Sequence, residues 1–226
     1  MKKRVEKVLK KILFLIKQNK LPVLPHTDTF NPASYYHLFN HAVGNENLFR
    51  NDNNYKYFLA KFKQYITPVC KVYAYCLMPN HFHFLVQIKT EAELLLFGKE
   101  QQKEIIGKID FHKIVMNQYK YMFNGYAQAY NKMYSRKGAL FIDYLRRKEI
   151  TDNQYFTKLV QYIHNNPVHH NFCKTVDEWN YSSYHTINSQ KPTNIERSTI
   201  IDWFGSIDNY KVFHQQPTSF LNEIEL

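Results

Sequence analysis

Two histidines one residue apart, His81 and His83, stand in the run Met78-Pro79-Asn80-His81-Phe82-His83-Phe84-Leu85-Val86. The run reads as a β-strand, in which successive side chains point to opposite faces. His81, His83, Leu85 and Gln87 then share one face; Phe82, Phe84, Val86 and Ile88 share the other. The second face is wholly apolar and calls for a core. The first presents two adjacent imidazoles, a starting point for a divalent-metal site. Further along the chain, Tyr162 and Asn166 are four apart in a helical pattern, which puts them on one helix face. If that face covers the histidine pair, one site gathers two imidazoles, a carboxamide oxygen and a phenol. Such a set suits attack on a phosphodiester. A metal polarises the phosphate, and the phenol attacks phosphorus and keeps the bond as a covalent intermediate. A free tyrosine titrates at about 10, so the phenol needs help with its proton. The sequence does not name that base.

The elements that must hold these residues follow from periodicity. Residues 35–43 read as a strand, 53–65 as a helix, 69–78 as a second strand, and 81–88 as a third after the break at Pro79-Asn80. Val115, Tyr119, Met122, Tyr126, Tyr130 and Met133 step by threes and fours, which predicts a long helix over 111–134. A fourth strand is expected within 139–150. Asp152 is the expected N-cap of the next helix. That helix is expected to end at Asn166-Pro167, because a residue before proline is pushed out of the α region. The order β-α-β-β-α-β, then α, matches a ferredoxin-like antiparallel sheet with helices on one face and an added helix. Three units are expected: an arm and linker over 1–32, a catalytic domain over 33–190, and a tail over 191–226.

The chain of 226 residues is 44% hydrophobic, enough for one packed domain with appendages. Its formal net charge of +11 favours a polyanionic partner. Residues 2–20 hold eight basic side chains against Glu6 alone, with apolar positions at helical spacing, and so read as a basic amphipathic helix. The Ile12–Ile16 stretch there is short for a signal segment and no small-residue cleavage site follows it. Nothing approaches the length of an apolar membrane span. Cys70, Cys76 and Cys173 lack CxxC spacing and read as reduced thiols, so a cytoplasmic protein is expected. Arg136, Lys137, Arg146, Arg147 and Lys148 flank the fourth strand. They read either as a solvated face or as phosphate contacts, with nearby aromatics stacking on unpaired bases.

Met-Pro-Asn-His-Phe-His-Phe-Leu-Val, followed by Tyr162-Ile163-His164-Asn165-Asn166-Pro167-Val168, resembles the single-tyrosine HUH transposases. The similarity is closer to the REP-associated tyrosine transposases, and Trp179-Asn180-Tyr181-Ser182-Ser183-Tyr184 resembles the tail of their motif set. The resemblance covers about residues 33–185. It implies an RRM-like sheet, His81, His83 and Asn166 as metal ligands, and Tyr162 as nucleophile. It further implies Mg²⁺ or Mn²⁺ as the metal and single-stranded DNA beside a hairpin as the substrate, cut to leave a 5′-phosphotyrosine. Imidazole ligands favour Mn²⁺ on physical grounds. The arm and the tail lie outside the resemblance, which leaves a monomer or a homodimer open. Two other readings compete: a non-catalytic hairpin-DNA-binding relative, and a zinc hydrolase. The zinc reading lacks a carboxylate or third imidazole close to His81 and His83 in the strand. His169 and His170 are rival ligands, and His164 is expected to face away from Tyr162.

Overall fold

A computed structural model describes residues 26–101, 109–142, 145–152 and 155–218. The basic helix expected over 2–20 lies outside the described residues.

Four strands form one sheet: β1 (Tyr35–His41), β2 (Cys70–Leu77), β3 (His81–Ile88) and β4 (Arg146–Ile150). Their order is β2-β3-β1-β4, and every neighbouring pair is antiparallel. Seven α-helices accompany them among the described residues: α1 (Asp52–Tyr65), α2 (Glu91–Glu100), α3 (Phe111–Met133), α4 (Tyr155–His169), α5 (Tyr184–Asn188), α6 (Arg197–Phe204) and α7 (Ile207–Gln215). The alternation of β3 works as its sequence dictates. Phe82, Phe84 and Val86 enter a core with Leu38 of β1, Phe58 and Phe62 of α1, and Tyr119, Met122 and Tyr126 of α3. The Phe62 and Phe84 rings stack at 4.1 Å. Each such ring removed from water stabilises the fold by about 1.5–3 kcal/mol.

The expectation of helices on one face only is corrected. The histidine face is covered too, by α4 and then by α5, α6 and α7. Leu85 shares that face with the histidines, and a register shift in β2 between Val72 and Ala74 turns both Tyr73 and Ala74 toward it. With Cys76 they make an apolar floor. Leu159, Val160, Tyr162 and Ile163 of α4 close over it, backed by Ile200 and Tyr210. A sheet apolar on both faces has to be covered on both.

The expected end of α4 at Asn166-Pro167 is also corrected. The helix runs through Pro167 to His169 and stops at Asn171, whose φ of 58° is left-handed. There the Phe172 N–H reaches back to the Pro167 carbonyl at 2.9 Å. A proline so near the end forfeits one backbone hydrogen bond, and the buried flank of α4 holds the rest in place.

Candidate active site

Antiparallel pairing sets the site. Across β1 and β3 the register places His41 opposite His81 and Phe39 opposite His83. Since both strands alternate, His37, Phe39 and His41 join His81 and His83 on one face. The His41 and His81 rings stack at 4.5 Å. His83 is hydrogen-bonded to His37, Nδ1 to Nε2, at 3.0 Å. Both rings are buried. Burial holds His37 down to about 3 and His83 well below the ordinary imidazole value. Both are therefore neutral at pH 7, and one proton serves their contact. When Nδ1 of His83 donates to His37, Nε2 of His83 keeps a lone pair for a ligand.

Helix α4 delivers the other two groups. Its Asn166 is fully buried, and Oδ1 lies 2.9 Å from Nε2 of His81. The Tyr162 ring stands edge-on to His83 at 5.6 Å and to His37 at 6.1 Å. Tyr162, Asn166, His81 and His83 are thus brought together, which the spacing alone left as a condition. Tyr162 is only 1% exposed and belongs to the apolar cluster under α4.

The chemistry around His81 is informative. Burial, the first cause, holds its imidazole down to about 3, so the ring is neutral and carries one N–H. Yet Nδ1 faces Asn80 Oδ1 at 2.8 Å while Nε2 faces Asn166 Oδ1. One N–H cannot serve two carbonyl oxygens. Two arrangements relieve this: the Asn166 carboxamide turned over, so that Nδ2, otherwise buried without a partner, donates to the ring, or a cation held between the ring nitrogen and the carboxamide oxygen. An imidazole nitrogen and a carboxamide oxygen converging in this way suit a shared cation. Among the described residues no three His, Cys, Asp or Glu side chains are grouped to hold a metal ion. A third protein donor beside His81 and His83 would come from a carboxamide, and Asn166 is the one in place.

The rival histidines divide. His170 stands edge-on to His81 at 5.0 Å, and the His169 ring is 6.2 Å from Tyr162. His164 turns the other way, as its position on the helix predicts. It bonds Ser183 Oγ at 2.7 Å and His214 at 2.9 Å. Sequence reasoning missed His37 and His41. Their alternation in Tyr35-Tyr36-His37-Leu38-Phe39-Asn40-His41 is visible, but only the strand order puts β1 beside β3.

The basic residues separate into two groups. Arg136 is spent inside the fold: it pairs with Glu46 at 3.1 Å and donates to Asn131 and to the Gly138 and Ala139 carbonyls. Arg147 is buried, and its guanidinium donates to the Thr27, Asp28 and Leu145 carbonyls. Arg146 and Lys148 pair with Phe39 and His37 across β1, on the histidine face. Arg146 sits over the Phe39 ring at 5.8 Å, and Lys148 is exposed. Lys137 is exposed in the turn after α3.

No protein-family model matches the chain, and no characterised protein matches it in sequence. Among solved structures it is similar to a REP-associated tyrosine transposase bound to a REP hairpin. That likeness has a TM-score of 0.54 at 11% identity, over 75% of this chain and 89% of the other. At that identity the likeness is one of fold. The four-stranded antiparallel sheet with its helices is consistent with the transposase fold.

Proposed function

We propose that the chain is a single-tyrosine HUH-type DNA transposase, built on a ferredoxin-like sheet, that nicks and rejoins single-stranded DNA beside a hairpin. One observation carries this reading: helix α4 lays Tyr162 and Asn166 against the imidazoles of His81 and His83. The fold likeness to a hairpin-bound transposase supports it. His81, His83 and Asn166 would hold Mg²⁺ or Mn²⁺, which when bound would polarise the scissile phosphate and offset its developing charge. The Tyr162 phenol oxygen attacks phosphorus, and an O–P bond forms as the bond from phosphorus to the DNA 3′ oxygen breaks. The 3′ oxygen takes a proton and leaves as a hydroxyl. The phenol proton passes to water or a neighbouring imidazole. The 5′-phosphotyrosine conserves a phosphodiester, so a 3′ hydroxyl can reverse the step and rejoin the strand. Because Tyr162 is buried, its side chain would have to turn out of the apolar cluster to meet the strand, with Asn166 left in place.

The catalytic unit on this reading is 33–190, flanked by the arm over 1–32 and the segment over 191–226. Arg146, Lys148 and Lys137 would guide the strand to the histidine face. Arg136 and Arg147, also candidates for DNA contact, would act by holding the turn and β4 that present them. No helix among the described residues is long and apolar enough to cross a membrane, and a cytoplasmic site of action fits the reduced cysteines.

The burial of Tyr162 favours a second reading, a hairpin-DNA-binding protein that does no cleavage. One experiment separates the two. The chain is incubated with Mn²⁺ and a labelled hairpin carrying single-stranded flanks, and denaturing gels are read for a covalent adduct. The transposase reading expects an adduct that Tyr162→Phe abolishes. An adduct that survives Tyr162→Phe moves the nucleophile elsewhere. Hairpin binding with no adduct selects the second reading.

A further inference from the structure

The positive charge of the folded part of the chain is unevenly placed. Outside residues 2–20, basic side chains exceed acidic ones by only four over the whole chain. Helices α1 and α3 alone carry six lysines against one carboxylate: Lys56, Lys61, Lys63, Lys113, Lys120 and Lys132 against Asp52. These two helices hold the entire excess, and the remainder of the chain beyond the arm is close to neutral. Both helices lie on the sheet face opposite the histidines.

The charge is also free to act outward. Lys56, Lys63, Lys113, Lys120 and Lys132 are exposed. Two exposed carboxylates, Asp52 and Asp110, keep their charge at the helix starts, and the rest of both helices is free of acid. Asp52 accepts the Tyr181 hydroxyl, and Asp110 accepts the Lys113 backbone N–H at 2.9 Å. The neighbouring α2 brings Glu91, Glu93 and Glu100 against Lys99, so the basic excess belongs to α1 and α3, with Lys63 on the flank of α1 beside Thr67 and Thr186 and Lys120 on the flank of α3 beside Ala139 and Ile142. Two large rings stand on it, Tyr57 at 39% and Tyr121 at 47% exposure. Lys61 lies over the Tyr57 ring at 5.5 Å. The helices run antiparallel: the α1 start meets the α3 end through Asn51 and Tyr134, while Tyr57 stacks on Tyr126 at 6.0 Å. With 23 residues, α3 is about 35 Å long, the axial length of roughly one turn of B-form duplex, ~34–36 Å.

From this placement we infer that the α1–α3 face is a docking surface for duplex DNA, separate from the histidine face. Exposed lysines on the outer flanks of α1 and α3 contact phosphates on either side of the duplex, and the Tyr57 and Tyr121 hydroxyls between them add phosphate hydrogen bonds. No base edge needs to be read. Arg136 and Arg147 are held inside the fold, so this face supplies duplex phosphate contacts that those two side chains do not. The inference builds on the DNA reading above: the duplex stem would lie behind the sheet while its single-stranded flank runs to the front.

The test uses the full chain and two probes, a hairpin with a ten-base-pair stem and a single-stranded flank, and that flank alone. Binding is measured against salt. The variant K56Q/K63Q/K113Q/K120Q is compared with K99Q/K174Q/K191Q/K211Q, which removes the same charge from exposed lysines elsewhere. The first variant is expected to weaken the stem-bearing probe at least about tenfold and to flatten its log–log salt slope by about 3 to 4, near 0.9 per lost phosphate contact. The second is expected to leave both unchanged. An unaltered slope in the first variant, or equal losses in the two variants, overturns the assignment. So does equal weakening of both probes, which points to single strands rather than duplex. The adduct assay on Tyr162 is scored separately, so its failure counts against catalysis and leaves the duplex result standing.

Discussion

Nε2 of His81 and Oδ1 of Asn166 lie 2.9 Å apart, and this contact joins the middle of the sheet to α4. Both atoms are buried, and His81 has only one N–H to divide between two carbonyl oxygens. A cation between them, or the Asn166 carboxamide turned so that Nδ2 donates, would satisfy both groups. With a cation held there, Asn166→Ala is expected to lower Mn²⁺ affinity at least about tenfold, read by electron paramagnetic resonance of free Mn²⁺. Thermal melting without metal should fall only modestly, by the small cavity left at this fully buried position and the lost contact with His81. Unchanged Mn²⁺ affinity with a large drop in melting temperature would make Asn166 a structural residue only.

Much of the fold was legible because it rests on period. β3 occupies the residues that its alternation predicts, and α3 follows its stripe of Val115, Tyr119, Met122, Tyr126 and Tyr130. The strand alternation marked His81 with His83 and the helix spacing marked Tyr162 with Asn166, but only the packing of α4 on the sheet joins the two pairs. What escaped needed information that is not local. Helix α2 begins with a capping box, Thr90 and Glu93, that marks its start in the sequence. Its short apolar run gives little period to confirm it. Gly205, at φ 79°, closes α6, and the Ser206 side chain caps α7. This stop-and-start pair was readable, but two helices of under ten residues carry weak stripes. His37 was invisible as a partner of His83 because strand order is a property of the sheet. Arg136 and Arg147 looked like solvent-facing charge, and only the surrounding carbonyls show otherwise.

His37 fixes how His83 presents its ring. The 3.0 Å contact ties their tautomers, and the stacked rings leave His83 little freedom to turn. His37→Phe keeps the stack and removes the hydrogen bond. It is expected to lower Mn²⁺ affinity by roughly 10–100-fold, measured by isothermal titration calorimetry. His37→Gln, whose carbonyl can accept from Nδ1, should recover part of that loss. Equal effects of the two variants would show that ring packing, not the proton, is what His37 provides.

Arg147 is a test of structure against charge. Its guanidinium serves the Thr27, Asp28 and Leu145 carbonyls, and it is buried under the edge of the sheet. Arg147→Ala leaves these acceptors short of donors and should cost about 3 kcal/mol in urea unfolding. Arg147→Lys should not rescue it, since an ammonium cannot fork to three carbonyls. DNA binding by the folded fraction should keep its salt slope. In contrast, Arg146→Gln with Lys148→Gln should leave stability within about 0.5 kcal/mol and flatten the slope. A stable Arg147→Ala protein with a flattened slope would return Arg147 to the DNA interface.

The C-terminal helices carry an acid-sensitive lock. His214 of α7 donates from Nδ1 to the Tyr210 carbonyl at 2.7 Å, so its Nε2 accepts from His164 Nδ1 at 2.9 Å. His164 Nε2 in turn accepts from the Ser183 hydroxyl at 2.7 Å. The chain is complete with both imidazoles neutral. Burial pushes His214 down to about 4 and His164 well below the ordinary value. An unfolded histidine titrates at about 6.5. Between these limits the unfolded chain binds protons that the folded chain refuses. The contribution is therefore fully present above pH 6.5 and is lost as pH falls toward 4, at about 1.4 kcal/mol per pH unit for each histidine. Urea unfolding with chelator present should show stability falling steeply over that range. His214→Gln should lose some stability at pH 7.5 and show a shallower fall, because one of the refusing imidazoles is gone. A slope identical to that of the parent chain would mean that His214 already takes up its proton in the folded state, and that α7 is not locked in this way.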